Sequence, residues 1–261
     1  IFGGMMNRQF SGKVVLLTGA SSGIGMATAN HLCESGASLM LHGRSGERLK
    51  ELAGELQAPE RVKLHIGDLR DAAYRTALVA DTIKAFGKLD VLINNAGIIG
   101  SAPLTAMDMG HYDEMMNINL QAPIHLTQLA IPHLEKTSGN VVNVSSVAGL
   151  RAFPGIMAYC VSKAGVDQFT RCAALELAPK GIRINAVNPG VVQTKLHLNS
   201  GMSDEAYQAF LEHSTTTHPM GRVGQPEEVA QLICFLSSTQ AGWITGGTYS
   251  IDGGRAQTCA R

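Results

Sequence analysis

Short runs of apolar and β-branched residues recur along the chain, and longer segments with apolar residues at helical spacing lie between them. The short runs are almost continuously apolar, as expected for strands buried on both faces of a sheet. They predict strands at residues 13–18, 38–42, 62–66, 89–93, 140–144, 182–187 and 248–251. The longer segments predict helices at residues 25–35, 47–55, 71–86, 111–134, 156–178 and 227–236.

This alternation of strands and helices predicts an α/β fold. A helix between two parallel strands forms a right-handed crossover, so successive units build a parallel sheet with helices on both faces. We expect one doubly wound, Rossmann-like domain over residues 12–261, because no linker divides it. Residues 1–11 are interpreted as an N-terminal extension or an artificial remnant, the latter especially for residues 1–4.

The least regular part of the chain is the segment 193–222. It contains a polar helix candidate at residues 203–213, followed by a run of Ser and Thr. Long irregular segments next to the ligand-binding edge of a sheet often form lids. We therefore predict a lid over residues 193–222.

Composition narrows the class of protein. The chain has 261 residues, of which 45% are apolar and 16% charged, and its formal net charge is +0. This balance offers no electrostatic footprint for nucleic acid or an anionic membrane. No apolar run reaches the length of a membrane span, and the start lacks the pattern of a secretory signal. The predicted partners therefore include neither nucleic acid nor a membrane.

The cysteines indicate a reducing compartment. Their number is odd and their spacing is scattered, which favours reduced thiols over disulfides or metal ligands. We predict no metal site and a cytoplasmic or other intracellular location. The cysteines are Cys33, Cys160, Cys172, Cys234 and Cys259.

A glycine-rich loop at residues 18–25 follows the first predicted strand and opens the first helix. Gly19 permits a tight turn, Gly23 lets the backbone approach a ligand, and Gly25 lets the helix pack against the sheet. The N–H groups at the start of the helix then face an anion. The loop predicts a phosphate site of a dinucleotide cofactor.

The end of the second strand bears on the choice of cofactor. A carboxylate usually stands there when the ribose 2′-hydroxyl is free, but this chain has Gly43 followed by Arg44. A guanidinium suits a 2′-phosphate, so NADP(H) is favoured and NAD(H) is possible. Alternatively, Arg44 is a solvated residue at the head of the next helix. Asp68 either accepts from the adenine amino group or caps the helix near Asp71.

Tyr159 and Lys163 are four residues apart in a predicted helix, so both side chains lie on one face. An ammonium beside a phenol lowers the tyrosine pKa, and such a tyrosine can exchange a proton with a substrate oxygen. Alone, the pair is also what an ordinary helix surface shows. Ser145 and Ser146 likewise are either site hydroxyls or a helix cap.

Taken together, these residues resemble the short-chain dehydrogenase/reductase family over roughly residues 12–254. The resemblance implies a Rossmann-like domain with a seven-stranded parallel sheet, and hydride transfer to or from C4 of a nicotinamide. The matching pieces are the loop 18–25, Asp68, Leu69, the run 94–97, Asn119, Ser146, Tyr159, Lys163, the run 188–190 and Thr194.

The resemblance implies four catalytic roles. Tyr159 is the proton donor or acceptor, and Lys163 holds the nicotinamide ribose and depresses the tyrosine pKa. Ser146 holds the substrate oxygen, with Ser145 as its competitor, and the family's serine-to-tyrosine spacing favours Ser146. Asn119 anchors a water in the proton path behind the lysine.

The resemblance also implies a set of cofactor contacts, in which Asn94 joins the run that lies against the cofactor. The predicted cofactor residues are Gly19, Ser21, Ser22, Gly23, Ile24, Gly25, Arg44, Ser45, Asp68, Leu69, Asn95, Ala96, Gly97, Tyr159, Lys163, Pro189, Gly190, Val192 and Thr194.

The implied activity is NADP(H)-dependent interconversion of a ketone and a secondary alcohol. The alternatives are NAD-dependent oxidation of a hydroxy acid or a steroid-like alcohol, and a dinucleotide-binding sensor without turnover. The substrate pocket is predicted to be apolar, with Arg151 either in solvent or facing an acidic substrate. The C-terminal part is similar to the branch that includes the 3-oxoacyl-acyl-carrier-protein reductases.

The helix 156–178 is apolar or small around much of its circumference. A helix that is apolar beyond one stripe is buried on more than one side, and the sheet covers only one of them. A subunit partner is therefore expected on the other side. Because the family usually forms tetramers, the resemblance predicts a homotetramer.

Overall fold

A computed structural model describes residues 9–258 of the chain. Its centre is a parallel sheet of seven strands in the order β3-β2-β1-β4-β5-β6-β7, which confirms the predicted fold class. The strands are β1 (Val14–Leu17), β2 (Ser38–Gly43), β3 (Val62–Ile66), β4 (Val91–Asn94), β5 (Asn140–Val144), β6 (Arg183–Pro189) and β7 (Thr248–Ile251).

The strand order reverses between β1 and β4, which pair directly in the middle of the sheet. The chain first moves outward from β1 to β3 and then crosses back to β4. Such a point opens a crevice outside the carboxyl ends of the strands, where open α/β sheets bind ligands.

The helices lie between the strands, as predicted, with a few differences at their ends. They are α1 (Gly23–Glu34), α2 (Gly46–Glu55), α3 (Ala72–Phe86), α4 (Met109–Met116), α5 (Ala122–Thr137), α6 (Met157–Leu177), α7 (Leu196–Asn199), α8 (Asp204–Thr217) and α9 (Pro226–Ser237). The short α7 was not predicted, and α8 extends the polar helix candidate.

The predicted helix 111–134 is not one regular helix. A five-residue π-helical segment, Asn117–Gln121, separates α4 from α5. Pro123 has no backbone N–H, so the ordinary hydrogen bond to the carbonyl of Asn119, four residues earlier, cannot form. The missing bond disfavours a regular α-helix at this point and accounts for the interruption.

Side chains of successive strand residues enter two separate cores, one on each face of the sheet. In β1, Val15 and Leu17 pack with one cluster, which includes Leu32 of α1 and Ile233 of α9. Val14 and Leu16 point to the other face, where α3, α5 and α6 supply the packing partners. The central strands β1, β4 and β5 are therefore buried on both sides, whereas the edge strands β3 and β7 are partly exposed.

The N-terminal boundary differs from the prediction. Phe10 lies within the predicted extension 1–11, yet it is buried in the core, and its N–H donates to the carbonyl of Ser35 at 3.0 Å. The domain therefore includes residues before position 12. The predicted remnant at residues 1–4 and Cys259 lie outside the described residues.

Residues 9–258 contain neither a membrane-spanning helix nor a metal-binding group of side chains. None of their helices combines the length and hydropathy that crossing a bilayer requires. Within the same residues, no three His, Cys, Asp or Glu side chains are grouped so that they could hold a metal ion. Cys33, Cys160, Cys172 and Cys234 are free thiols.

Candidate active site

A cleft of about 740 Å³ crosses the carboxyl edge of the sheet. Its walls come from the loops that follow the first six strands, together with α6, α7, α8 and the C-terminal segment. Ser146, Tyr159 and Lys163 line this cleft, whereas Asn119 does not. Every predicted cofactor residue also lines it, with the exception of Gly25.

The glycine loop is closely packed against its neighbours. Gly19 (φ +67°) and Gly23 (φ +54°) have left-handed backbones, which favour glycine. A β-carbon at Gly23 would come within 2.9 Å of Cγ2 of Thr194, across the cleft. One at Gly25 would overlap the carbonyl oxygen of Gly19. Gly25 therefore lets the start of α1 approach the ends of β1 and β4, where a side chain would collide with Gly19 and Asn95.

His42 supports this loop from behind, and the sequence analysis had assigned it only to a strand. The N–H of Gly19 donates to Nδ1 of His42 at 3.4 Å, and Nε2 of His42 lies 3.2 Å from the carbonyl oxygen of Gly67. Burial lowers the pKa of His42 to about 4, so the ring is neutral and Nε2 carries the proton. The imidazole thus holds the loop without adding charge.

The far end of the cleft carries two guanidinium groups. Arg44 and Arg48 both line it, and among the described residues neither forms an ion pair. Ser45 caps α2 by accepting from the N–H of Arg48 at 3.4 Å. An unpaired cationic end of this kind suits an additional phosphate group.

Asp68 was predicted either to contact adenine or to cap α3. The cap is Asp71, which accepts from the N–H of Ala73 at 2.8 Å. Asp68 lines the cleft and accepts from Nε of Arg70 at 2.8 Å, and this hydrogen bond holds the pKa of Asp68 below its usual value. Asp68 is therefore an ionised carboxylate at the cleft wall, next to Leu69.

Asn94 is the one member of the run 94–97 that does not reach the cleft. It is buried in the sheet, where Nδ2 donates to Oδ1 of Asn143 at 2.9 Å, so the prediction that it lies against the cofactor is wrong. Asn95 lies in the cleft wall, and its Nδ2 donates to the carbonyls of Thr18 and Gly19 at 2.9 and 3.0 Å. The amide of Asn95 thus ties two strand ends together.

Tyr159 and Ser146 face each other in the middle of the cleft. Burial raises the pKa of Tyr159 to about 12, and a hydrogen bond with the Ser146 hydroxyl opposes this rise. Burial outweighs the lowering of this pKa that was expected from Lys163, whose Nζ lies 5.6 Å from the centre of the tyrosine ring. Without a ligand, the phenol is therefore protonated at neutral pH.

Lys163 is anchored to the sheet. Its Nζ donates to the carbonyl of Val144, the last residue of β5, at 2.8 Å. Burial lowers the pKa of Lys163 to about 8, and the carboxylate of Asp167 opposes this. Asp167 stands one helical turn further along α6, which is the spacing that could have identified it in the sequence.

The two serines have different partners. Ser145 donates to the carbonyl of Lys163 at 3.1 Å, and its hydroxyl lowers the pKa of the neighbouring Asp167. Ser146 accepts from the N–H of Ala148 at 3.1 Å and is the one that contacts Tyr159. Geometry therefore favours Ser146 as the hydroxyl for the substrate oxygen, and it gives Ser145 a place in the support of α6.

Asn119 lies behind the cleft, in the π-helical segment. Its Oδ1 accepts from the N–H of Ile98 at 2.9 Å, and its Nδ2 donates to the carbonyl of Ile98 and to Oγ of Ser162. Gly97 separates it from Lys163: a β-carbon there would be 3.3 Å from Oδ1 of Asn119 and 3.5 Å from Nζ of Lys163. One bridging water could span such a separation.

The predicted lid is attached to the cleft by Tyr207 of α8. Its hydroxyl accepts from the N–H of Thr194 at 3.1 Å and donates to the carbonyl of Thr194 at 2.7 Å. This contact was not predicted, because a single tyrosine on a polar helix has no distinguishing pattern. The two bonds place α8 over the loop that faces Gly23.

The remaining part of the cleft, beyond Tyr159, is mostly apolar. Its apolar lining consists of Ile98, Ile99, Phe153, Ile156, Val191, Leu196, Met202 and Phe210. Arg151 lies outside it. Arg151 is exposed, in keeping with the alternative that places it in solvent, and its Nε donates to the carbonyl of Ala256 at 2.6 Å. The charged side chain that lines this part of the cleft is Arg255.

Comparison with known proteins identifies the family. Residues 19–256 match the model described as enoyl-(acyl carrier protein) reductase. A 3-oxoacyl-[acyl-carrier-protein] reductase, FabG, of Thermotoga maritima is 38% identical over 94% of this chain and 98% of its own. A 7alpha-hydroxysteroid dehydrogenase of Bacteroides fragilis is 34% identical over 95% of this chain and 96% of its own.

Solved structures agree with these relatives. A short-chain dehydrogenase/reductase of unknown function from Caenorhabditis elegans, crystallised with cofactor, has a TM-score of 0.92 and 37% identity, covering 97% of this chain and 98% of that one. A dehydrogenase/reductase from Brucella melitensis has a TM-score of 0.88 and 32% identity, covering 97% and 99%. The chain therefore belongs to the short-chain dehydrogenase/reductase family of NAD(P)(H)-binding oxidoreductases.

Proposed function

We propose that the protein interconverts a ketone and a secondary alcohol, with NADP(H) as the favoured cofactor and Tyr159 as the acid or base. One observation carries this proposal: the buried Tyr159 and the Ser146 hydroxyl interact and line the same cleft as the glycine loop. An acid-base pair and a phosphate loop in one cleft are what a hydride-transfer enzyme needs.

The residues at the glycine loop fit a dinucleotide. Gly19 and Gly23 leave the backbone bare beside the first turn of α1, where N–H groups attract a phosphate. Asp68 and Leu69 would hold the adenine, while Asn95, Ala96, Gly97, Pro189, Gly190, Val192 and Thr194 would flank the nicotinamide half. When bound, the nicotinamide would supply or accept the hydride.

In the reducing direction, Tyr159 donates its phenolic proton to the developing alkoxide, and Ser146 donates a hydrogen bond to the same oxygen. Such a donor is worth about 3 kcal/mol of transition-state stabilisation. In the oxidising direction, the phenolate must form first. Since burial raises the pKa of Tyr159 to about 12, a nearby positive charge has to lower it.

Lys163 is the group on this chain that we expect to supply that charge. Its Nζ has two donors left after the bond to Val144, enough for the ribose hydroxyls. Gly97 leaves room for one water between Lys163 and Asn119, and that water would carry protons away from the site. This gives Asn119 a positioning role behind the lysine.

The preference for NADP(H) rests on Arg44 and Arg48. Both line the cleft where β2 ends, and Gly43 stands where a carboxylate would repel a 2′-phosphate. The second candidate, NAD-dependent oxidation of a hydroxy acid or a steroid-like alcohol, is favoured by the resemblance to hydroxysteroid dehydrogenases. A titration of the enzyme with both cofactors separates the two.

The decisive experiment is a panel of ketones and secondary alcohols, followed through the absorbance of the reduced nicotinamide with each cofactor. Tyr159→Phe should lower kcat about 100- to 10,000-fold, the range for one general acid, while NADPH still binds. Near-normal turnover in this variant would refute the role of Tyr159. Tight NADPH binding without turnover of any compound would favour the sensor alternative.

We further propose a homotetramer in which α6 meets a second subunit. Its outer face exposes Val161 (43%), Cys172 and Leu175 (81%), and exposed apolar patches of this kind mark interfaces. Sedimentation at several protein concentrations would give the oligomeric state, and Leu175→Glu should shift it toward smaller species. The cytoplasmic or other intracellular location stays a prediction from the cysteine content.

A further inference from the structure

Arg255 is a charged side chain in the substrate part of the cleft that the proposed reaction does not use. It is half-buried and lines the cleft together with Phe153 and Phe210. Among residues 9–258 no carboxylate forms an ion pair with it. Charges that are partly removed from water are normally paired, so the guanidinium lacks a counterion that a ligand can provide.

The geometry keeps several of its donors available. Nη1 of Arg255 donates to the carbonyl of Thr217, at the end of α8, at 3.0 Å. The guanidinium carbon lies 5.3 Å from the centre of the Phe153 ring. An arginine has five N–H donors, and the described contacts engage one of them. The remaining donors can form the two parallel bonds that a carboxylate accepts.

The backbone around Arg255 is held in place, so its position is defined. Residues Arg255–Gln257 form a 3₁₀ turn whose start is capped by Asp252, which accepts from the N–H of Ala256 at 2.6 Å. Arg151 then binds the carbonyl of Ala256 from the other side. A preorganised guanidinium loses little entropy when it binds an anion.

Arg255 is also close to the acid-base group. Phe153, on which the guanidinium lies, packs in the same apolar cluster as Tyr159. Among the described residues that line the cleft, the one acidic side chain is Asp68, at the cofactor end. A substrate anion beside Arg255 therefore meets no carboxylate there. One permanent cation matches the single charge of a carboxylate better than the double charge of a phosphate monoester.

We propose that Arg255 binds a carboxylate of the substrate, so that the preferred substrates are oxo acids and the corresponding hydroxy acids. This inference rests on the proposed function of the same cleft. The carbonyl would lie at Tyr159 and Ser146, and the carboxylate would reach past the Phe153 ring toward Arg255. The intervening carbon chain would contact the apolar walls.

The test compares an oxo acid with its uncharged methyl ester in wild type, Arg255→Gln and Arg255→Lys. In wild type, kcat/KM should favour the acid, and Arg255→Gln should reduce the acid-to-ester ratio about 10- to 100-fold, the value of one charge-assisted contact. The change should appear in KM and not in kcat, because the anion binds equally in the ground and transition states. Arg255→Lys should restore part of the ratio.

Arg151→Gln is the matched control, since Arg151 supports the same turn but does not line the cleft. It should leave the acid-to-ester ratio unchanged, and an equal loss in this variant would show that only the turn matters. An unchanged ratio in Arg255→Gln would overturn the inference. If wild type reduces the ester with the same kcat/KM as the acid, the inference fails while the proposed function stands.

Binding gives a readout that does not depend on turnover. Hexanoate and hexanamide, which have no ketone to reduce, can be titrated calorimetrically into the NADPH-loaded protein. Wild type should bind hexanoate more tightly, and Arg255→Gln should bind both weakly. This result would support the anion site even if no ketone is turned over, in which case only the proposed function fails. Equal binding of the two compounds to wild type would refute the site.

Discussion

The ammonium of Lys163 donates a hydrogen bond of 2.8 Å to the carbonyl oxygen of Val144, at the point where β5 ends. The lysine is thereby fixed to the sheet, although it is carried by α6. Its distance to the Tyr159 ring centre, 5.6 Å, is consequently set by the packing of the helix on the sheet. Anchoring of this kind keeps a flexible side chain in one orientation next to the phenol.

Lys163→Met should lower kcat/KM on the order of 100-fold or more, because it removes the charge that favours the phenolate. Asp167 would also lose one of the two cations that lower its pKa, the other being Arg171, so a smaller loss of stability is expected as well. Steady-state kinetics and urea unfolding measure the two effects. Lys180→Met, at an exposed ion pair just beyond the same helix, is the control and should change neither by much. Full activity in Lys163→Met would contradict the assigned role.

Asp167→Asn should move a pH limb of the reaction. The carboxylate raises the pKa of Lys163 against burial, so its removal lowers that pKa further below about 8. Lys163 would lose its proton at lower pH, and the decline of activity on the alkaline side should begin earlier. The pH profile of kcat/KM measures this. Glu176→Gln, on the exposed side of α6, should keep the wild-type profile, and identical profiles for both variants would argue against the coupling.

His42→Asn should change how stability depends on pH. Burial lowers the pKa of His42 from 6.5 to about 4, so between these values the unfolded chain binds a proton that the folded chain does not. Wild type therefore loses stability as pH falls below 6.5, at about 1.4 kcal/mol per pH unit for this group. Above pH 6.5, His42 does not contribute to the dependence of stability on pH.

Urea unfolding at pH 7 and pH 5, at one protein concentration, tests this. From pH 7 to pH 5, the free energy of unfolding should fall by about 2 kcal/mol more in wild type than in His42→Asn. Asparagine can still accept from the N–H of Gly19, so the variant is expected to fold. Equal losses for the two proteins would mean that His42 is not held neutral in the folded state.

The strands were predictable because burial on both faces leaves a long apolar run, which is visible in a local window. The segment 140–144 matches β5 at both ends. The break between α4 and α5 was not anticipated, although Pro123 marks it, because a proline is also common in the first turn of a helix. A local sequence pattern therefore predicts where helices and strands lie better than it predicts the irregularities within them.

Within the site, residues close in sequence were easier to find than residues brought together by folding. Tyr159 and Lys163 share one helix face, so their spacing made them candidates, and the family resemblance implied their roles. His42, Tyr207 and Arg255 acquire their roles from contacts with distant parts of the chain, and nothing in their neighbourhoods signals this. The family's serine-to-tyrosine spacing favoured Ser146 over Ser145, and the position of Ser146 beside Tyr159 agrees with that choice.

Arg44→Ala should test the choice of cofactor. Arg44 lines the cleft at the end of β2 and forms no ion pair among the described residues, so its charge is available for a 2′-phosphate. Its removal should raise KM for NADPH about 10- to 100-fold and leave KM for NADH nearly unchanged, because only NADPH carries that phosphate.

Initial rates with each nucleotide, at a fixed ketone concentration, measure this shift. Lys50→Ala is the matched control: it removes an exposed positive charge from the same helix, α2, at a position that does not line the cleft. A similar rise of KM for NADPH in Arg44→Ala and Lys50→Ala would indicate general electrostatic attraction. If Arg44→Ala raises KM for NADH as much as KM for NADPH, the guanidinium does not discriminate between the two cofactors. The preference would then depend on Arg48 or on the absence of a carboxylate at Gly43.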